Sequence, residues 1–284
     1  MTTRLAVPNK GRLQQPTTNL LKQGGLSYEK TDRALSVPVR NMDLEVLFVR
    51  TDDVPEFVAD GVADLGITGI DLLTESGTDL DIVTNLGYGT CRLTAAVPKI
   101  SDIRSIEDLA GARIATSHPV TTERFFADKS IPITTVPLSG SVEVAPKLDI
   151  ADAIVDLVSS GSTLLINGLR PIATVLESEA VLVGRSDTIR EGNGTIGQIV
   201  LMIQSVVAAR RKRYILMNAP NDAIASIEEI IPGFEAPTVI PLAHDGMVAV
   251  HSVVDADELW RVLPELKQAG AGGILVLPID QLIV

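Results

Sequence analysis

Asp152-Ala-Ile-Val-Asp156-Leu-Val-Ser-Ser-Gly161-Ser-Thr163-Leu164 reads as one strand, one turn and the start of one helix. The strand is apolar and carries two acids. The turn is built from hydroxyl residues and glycine, so backbone N–H groups at the helix start, with the hydroxyls of Ser159, Ser160 and Thr163, can surround a phosphate. Carboxylates just upstream can accept hydrogen bonds from ribose hydroxyls, directly or through bound Mg²⁺. A surface strand leading into a helix cap has no need of two acids on one side of a donor-rich turn. The run therefore reads as a pocket for a phosphorylated sugar.

Outward from this unit, the same rhythm fills the chain from Arg4 to about Thr174. Short β-rich runs (Leu5 to Pro8, Glu45 to Val49, Leu65 to Thr68, Ile82 to Val83, Leu93 to Val97, Arg113 to Thr116, Ile133 to Val136, Ala153 to Val158) alternate with amphipathic segments such as Val54 to Asp60 and Val120 to Lys129. Such alternation predicts βαβ units, mostly parallel sheets, and ligands outside the carboxyl ends of the strands. A helix follows, with Ile196, Ile199, Val200, Ile203, Val206 and Val207 at spacings of three and four, and its basic end, Arg210 to Arg213, marks a boundary near residue 212. The remainder reads strand, helix, strand, strand, helix, strand, a βαββαβ order that predicts a small ferredoxin-like domain.

Composition sets outer limits. At 284 residues the chain exceeds one ordinary core, so two or three domains are expected. Hydrophobic residues make up 45% and aromatics only 3%, so the core rests on Val, Ile, Leu and Ala, as in α/β proteins. A net charge of -12 excludes broad nucleic-acid binding, which needs a basic face. No export signal and no long uncharged apolar run appear, so the expectation is a cytoplasmic protein without a membrane anchor. The single Cys91 excludes an intrachain disulfide and has no recognisable His partner, which favours a buried thiol.

Other strand ends converge on the same chemistry. Pro8-Asn-Lys10-Gly11-Arg12-Leu13 puts two cations at a strand-to-helix turn, Arg50 follows the strand Glu45 to Val49, and Asp64-Leu-Gly-Ile-Thr-Gly-Ile-Asp71 ends on an acid after a permissive glycine. Gly192, Gly194 and Gly197 match a dinucleotide fingerprint in spacing alone. The charged stretch Arg185 to Glu191 separates them from the preceding strand, and Asn218 stands where the fingerprint has an acid. His118, His244 and His251 show no metal-ligand spacing; His118, in Thr116-Ser-His-Pro119, is at a strand end that borders the pocket.

These pieces coincide in one family. Val7 to Leu13, Phe48-Val-Arg50, Asp64 to Asp71, Leu86-Gly87-Tyr-Gly89-Thr-Cys-Arg-Leu93, Arg113 to Thr116, Gly140-Ser-Val-Glu143-Val-Ala-Pro146 and the Asp152 to Leu164 run resemble ATP phosphoribosyltransferase in its long form, nearly end to end. The last two together resemble the family's signature, with Asp149 where that signature has glycine, a position an Asp side chain tolerates in a left-handed turn.

The resemblance implies a two-lobed catalytic part of the type II periplasmic-binding-protein kind, with 1–90 and 180–211 as one lobe and 91–179 as the other. It implies a histidine-binding regulatory domain over 212–284, with the inhibitor at Asn218, Phe234, Ala236, Thr238 and Gly273. Implied too are ATP and phosphoribosyl pyrophosphate as substrates, Mg²⁺ as cofactor, histidine as feedback inhibitor, and homodimers assembling to a homohexamer. Within the cleft, Glu143, Asp152 and Asp156 are expected to hold ribose and Mg²⁺, and Ser159, Ser160, Gly161, Ser162 and Thr163 the 5′-phosphate. Lys10, Arg12 and Arg50 are expected to attend the pyrophosphate or the ATP phosphates, with Gly11, Asp71, Gly87 and Gly89 along the nucleotide. Lys10, Arg12, Arg50 and Glu143 form the expected catalytic set, with no general base assigned because adenine N1 already has its lone pair available. Two rivals are a solute-binding protein, which shares the lobed fold, and a catalytically silent paralogue.

Overall fold

The computed structural model describes residues 2–29, 34–159, 161–192, 194–231, 233 and 236–283. The chain begins β1 (Thr3–Pro8), α1 (Gln14–Gln23), β2 (Ser36–Pro38), β3 (Leu44–Val49), α2 (Val54–Ala59), β4 (Leu65–Gly69), α3 (Ile70–Ser76) and β5 (Asp81–Asn85). It continues β6 (Cys91–Pro98), β7 (Arg113–Thr116), α4 (Pro119–Asp128), β8 (Thr134–Pro137), β9 (Ala153–Val158), α5 (Ser162–Ile166) and β10 (Leu169–Ser178), then returns through β11 (Ala180–Gly184), α6 (Ser186–Glu191) and α7 (Thr195–Arg210). Two compact units result, one of 1–19 with 26–198 and one of 20–25 with 199–284.

The first unit holds two sheets. One has the order β2-β3-β1-β4-β11-β5, the other β10-β6-β9-β7-β8. Mostly parallel sheets are not what forms: β1 pairs parallel with β3 and β4, and β7 with β8 and β9, but β2, β5, β6, β10 and β11 all enter antiparallel pairs. The chain passes straight from β5 to β6 and from β10 to β11 with no helix between them. The strands joined in this way lie in different sheets, so β6 and β11 enter their sheets from the other one and not through the helical crossover that makes neighbouring strands parallel.

Strand alternation sets what each face carries. On β9, Ala153 and Val155 join Leu93, Ala95, Val97 and Ile114 against Phe126 of α4. Ile154 points the other way, with Ala96 and Ala115, under Val142 and Ala145 of the 3-10 segment Val142–Leu148 and Leu164 of α5. Period-two geometry puts Asp156 on this second face, beside the 3-10 segment and α5. Asp149 ends that segment with φ 56°, in the left-handed region, and its carbonyl accepts a 2.8 Å hydrogen bond from Arg113.

The second unit carries β12 (Lys212–Pro220), α8 (Ile224–Ile230), β13 (Thr238–Pro241), β14 (Met247–Asp255), α9 (Leu259–Gln268) and β15 (Gly272–Pro278), with strand order β13-β14-β12-β15 and every pair antiparallel. This is the ferredoxin-like split βαβ arrangement. Ile215, Met217 and Ala219 of β12 and Val248, Val250 and Val254 of β14 pack under Ile227 of α8 and Val262 and Leu266 of α9. Alternation leaves Asn218, Ala249, His251 and Thr238, joined across the strands, on the face without helices.

Candidate functional site

Two chambers share Leu157 on the lobe carrying β9. The larger, about 520 Å³, is lined by Gly11, Arg12, Leu13, Arg50, Thr51, Asp52, Asp71, Leu72, Glu75, Ser117, His118, Ser139 and Leu157. The smaller, about 190 Å³, is lined by Glu143, Asp156, Leu157, Val158, Ser159, Gly161, Thr163 and Leu164.

In the larger chamber the ends of β1, β3, β4 and β7 meet, as expected of strand carboxyl ends in α/β sheets. Gly69 ends β4 and α3 starts at once, which drops Asp71 into the wall at 1% exposure. Its carboxylate accepts hydrogen bonds from Arg12 Nη2 at 2.9 and 3.0 Å and from the Ser178 hydroxyl at 2.5 Å. Arg12 also donates to the Gly89 carbonyl. Burial alone would raise the Asp71 carboxyl, but His118, Ser178 and Arg12 together hold it at about 2. Asp71 is therefore a fixed anion and Arg12 is committed to it. Glu75, one turn further along α3, accepts hydrogen bonds from the backbone N–H groups of Val120 and Thr121 and from the Thr121 hydroxyl, tying α3 to the start of α4.

In the smaller chamber, β9 delivers Asp156 and the 3-10 segment delivers Glu143. The Asp156 carboxyl lies above its ordinary range because it is buried and because Glu143 is near. After β9 the chain turns through Gly161, left-handed at φ 76°, into α5, so Ser159, Gly161 and Thr163 line one cavity with the two acids. Arg92 of β6 pairs with Val158 in register and points to this face of the sheet.

Several expected site residues stand elsewhere. Asp152 does not join the smaller chamber. It precedes β9, at the strand end opposite the turn and about 13 Å of strand from Asp156. There its carboxylate accepts from Arg113 N–H at 2.8 Å and Arg113 Nη2 at 2.9 Å. A group of three acids, Glu143, Asp152 and Asp156, is thus not assembled, and among the described residues no cluster of three or more His, Cys, Asp or Glu is placed to hold a metal. Lys10 is exposed beside Gly11 and outside the lining of both chambers. Gly87 and Gly89 organise the crossing between the sheets: Gly87 N–H donates to Glu179 at 2.9 Å, and Gly89, at φ 65°, presents its carbonyl to Arg12. Ser162 starts α5 but is outside the lining, and Ser160 lies outside the described residues.

In the second unit, Asn218 and Gly273 sit side by side on β12 and β15, and Thr238 pairs with His251 of β14, which puts it across that strand from Leu216, two residues along β12 from Asn218. Ala236 is exposed just before β13, and Phe234 lies outside the described residues. Glu75 and Ser139 in the wall of the larger chamber, and Ser178 behind it as a partner of Asp71, are residues the sequence did not flag. Ser178 is 107 residues from Asp71, and no local pattern links them. Cys91 is buried, and burial raises its thiol.

A family model described as ATP phosphoribosyltransferase matches residues 50–205, and the model of that enzyme's C-terminal domain matches 209–281. The chain belongs to the ATP phosphoribosyltransferase family. ATP phosphoribosyltransferase of Gemmatimonas aurantiaca is 44% identical over 290 residues, and that of Phocaeicola vulgatus 42% identical over 281, with 99% of each chain covered in both cases. The ATP phosphoribosyltransferase complex of Thermotoga maritima contains a chain that superposes with a TM-score of 0.64 at 30% identity, covering 72% of this chain and 98% of that one. The presence of both family regions makes this the long form. Its catalytic part is built on two mixed sheets, and its C-terminal domain is ferredoxin-like in strand order. It is a phosphoribosyl-transferring enzyme of histidine biosynthesis, a glycosyltransferase in class. Enzymes of this family use a divalent metal. No helix among the described residues is long and apolar enough to cross a membrane.

Proposed function

We propose that the chain joins N1 of the adenine of ATP to C1 of phosphoribosyl pyrophosphate, with the smaller chamber holding the phosphoribosyl half and the larger one the nucleotide. The observation that carries this reading is the enclosure of Glu143, Asp156, Ser159, Gly161 and Thr163 in one cavity. It combines acceptors for ribose hydroxyls with donors for a phosphate.

As C1 loses pyrophosphate it becomes oxocarbenium-like, and the leaving group gathers negative charge. Asp156 and Glu143 hold the ribose hydroxyls so that C1 faces the neighbouring chamber across Leu157, and Ser159 to Thr163 fix the 5′-phosphate. Arg50 lies on the pyrophosphate side, where a guanidinium offsets developing charge. Lys10 and Gly11, on the β1 turn, attend the ATP phosphates, and Arg12 orients the wall through Asp71. Adenine N1 attacks with its own lone pair and no side chain removes a proton first.

Two near carboxylates, one of them raised in pKa by burial and by the other, form an unneutralised acidic pair that suits Mg²⁺. Mg²⁺ is commonly held by one or two carboxylates with substrate phosphate oxygens and water, so Glu143 and Asp156 suffice without Asp152. Bound there, Mg²⁺ supplies charge neutralisation to the departing pyrophosphate.

In the same reading, 1–90 with 180–211 and 91–179 form the two catalytic lobes, and 212–284 serves histidine feedback inhibition around Asn218, Ala236, Thr238 and Gly273 with Phe234. Homodimers that assemble to a homohexamer in the cytoplasm complete it. The test incubates the pure protein with ATP, phosphoribosyl pyrophosphate and Mg²⁺, with and without histidine. Pyrophosphate release suppressed by histidine is expected; no release removes the transferase reading, and release indifferent to histidine removes the regulatory one. Asp156→Ala and Thr163→Ala should each raise the dissociation constant for phosphoribosyl pyrophosphate, and unchanged values for both would sink the assignment of the smaller chamber.

A further inference from the structure

His118 is 4% exposed, yet its Nε2 has no hydrogen-bond partner. A buried polar atom left in that state costs free energy, so such an atom on the wall of a cavity points to a missing partner. Its other nitrogen is engaged: Nδ1 lies 2.9 Å from the Ser117 hydroxyl. With that hydroxyl donating to Nδ1, the ring proton sits on Nε2 and is available to a further acceptor. Asp71 Oδ2 is 3.8 Å away, near enough for the ring to help hold that carboxyl low but beyond hydrogen-bond range, and the Asp71 carboxylate already accepts from Arg12 and Ser178.

The surrounding wall shows what the acceptor is. Arg12 and Asp71 cancel each other, and Glu75 is occupied by the start of α4. Arg50 and Asp52 are the remaining charges of the chamber, with Arg50 assigned above to phosphate charge, and Leu13, Leu72 and Leu157 supply its apolar surface. Apolar walls with one or two directed polar groups suit a flat, weakly polar ring better than a polyphosphate.

We propose that His118 contacts the purine of ATP, its Nε2 donating a hydrogen bond to a ring nitrogen other than N1, which must remain free to attack. The inference rests on the assignment of the larger chamber to the nucleotide and adds to it the residue that reads the base.

The test compares ATP and phosphoribosyl pyrophosphate binding by calorimetry in the wild type, H118N and H118Q. An Asn amide reaches only the Nδ1 position, whereas a Gln amide reaches that of Nε2. H118N should weaken ATP binding about tenfold, the size of one directed hydrogen bond, with phosphoribosyl pyrophosphate within twofold of wild type. H118Q should recover most of the loss. ATP binding within twofold of wild type in H118N, equal weakening for both substrates, or H118Q as weak as H118N would overturn the inference. A readout free of any folding defect uses the wild type with 7-deaza-ATP and 3-deaza-ATP: one of the two should bind about tenfold more weakly than ATP, and full affinity for both overturns the contact. Failure of the wild type to bind ATP at all would remove the underlying assignment, and the inference with it, a result distinct from any of these.

Discussion

Arg12 Nη2 lies 2.9 and 3.0 Å from the two carboxylate oxygens of Asp71, a residue 59 positions further along the chain and almost wholly buried. The turn after β1 and the start of α3 are thereby pinned together at the wall of the larger chamber. A guanidinium in this position shapes the cleft through its partner, because its charge is already answered.

Asp71→Ala should therefore destabilise the protein by about 3 kcal/mol, since it strips a partly buried guanidinium of its partner. The pH dependence has a definite sign. The folded carboxyl is held at about 2, below its ordinary value, so its contribution is fully present above the unfolded pKa of about 4 and is lost as pH falls through 2. Urea unfolding from pH 8 to pH 2 checks this: the gap between wild type and Asp71→Asn should be flat above pH 5 and close below pH 4.

Asp156 should show the opposite sign. Burial and the nearby Glu143 raise its carboxyl, so ionisation costs stability once pH rises past the unfolded pKa, and the full cost stands above the folded one. Asp156→Asn is expected to raise the Tm of the metal-free protein at pH 7, an effect that vanishes below about pH 4, while weakening phosphoribosyl pyrophosphate binding. A lower Tm at pH 7 would show that the carboxylate serves the fold.

Asp152 and Arg113 should behave as a structural pair. Both side chains are nearly half exposed, so their ion pair is worth at most about 1 kcal/mol. Asp152→Asn and Arg113→Ala are expected to lower stability slightly and non-additively in a double-mutant cycle, leaving the dissociation constant for phosphoribosyl pyrophosphate within twofold of wild type. A tenfold rise for Asp152→Asn alone would return that acid to the site.

Two glycines should fail for different reasons. At Gly161 a Cβ has room, with Val158 the nearest neighbour at 4.0 Å, but φ is 76°, so Gly161→Ala should cost about 1 kcal/mol of backbone strain and misplace the phosphate turn. At Gly89 a Cβ would collide with Leu13 as well as force a left-handed φ, so Gly89→Ala should cost more and disturb the Arg12 contact. Thermal unfolding ranks the two; Gly161→Ala as the worse destabiliser would contradict the packing at Leu13.

Short-range order was legible in the chain because it depends on near neighbours. The strand, turn and helix around Asp156, the βαββαβ order of residues 212–284 and the tolerance of Asp149 for a left-handed φ all follow from spacing and side-chain chemistry within a few positions. Alternation along β9 likewise put Asp152 and Asp156 on one side of the strand, and packing then covered that side with the 3-10 segment and α5. Pairing between distant strands decided the rest. Which end of β9 faces the cleft made Asp152 a partner of Arg113, and direct passage between the two sheets replaced parallel pairs with antiparallel ones. The meeting of Asp71 with Ser178, and of Glu75 with the start of α4, likewise came from tertiary packing. Periodicity reports which side of a strand a residue occupies, but not which strand lies beside it or what stands at its end. Those are settled only when the sheets assemble and the buried polar groups find partners.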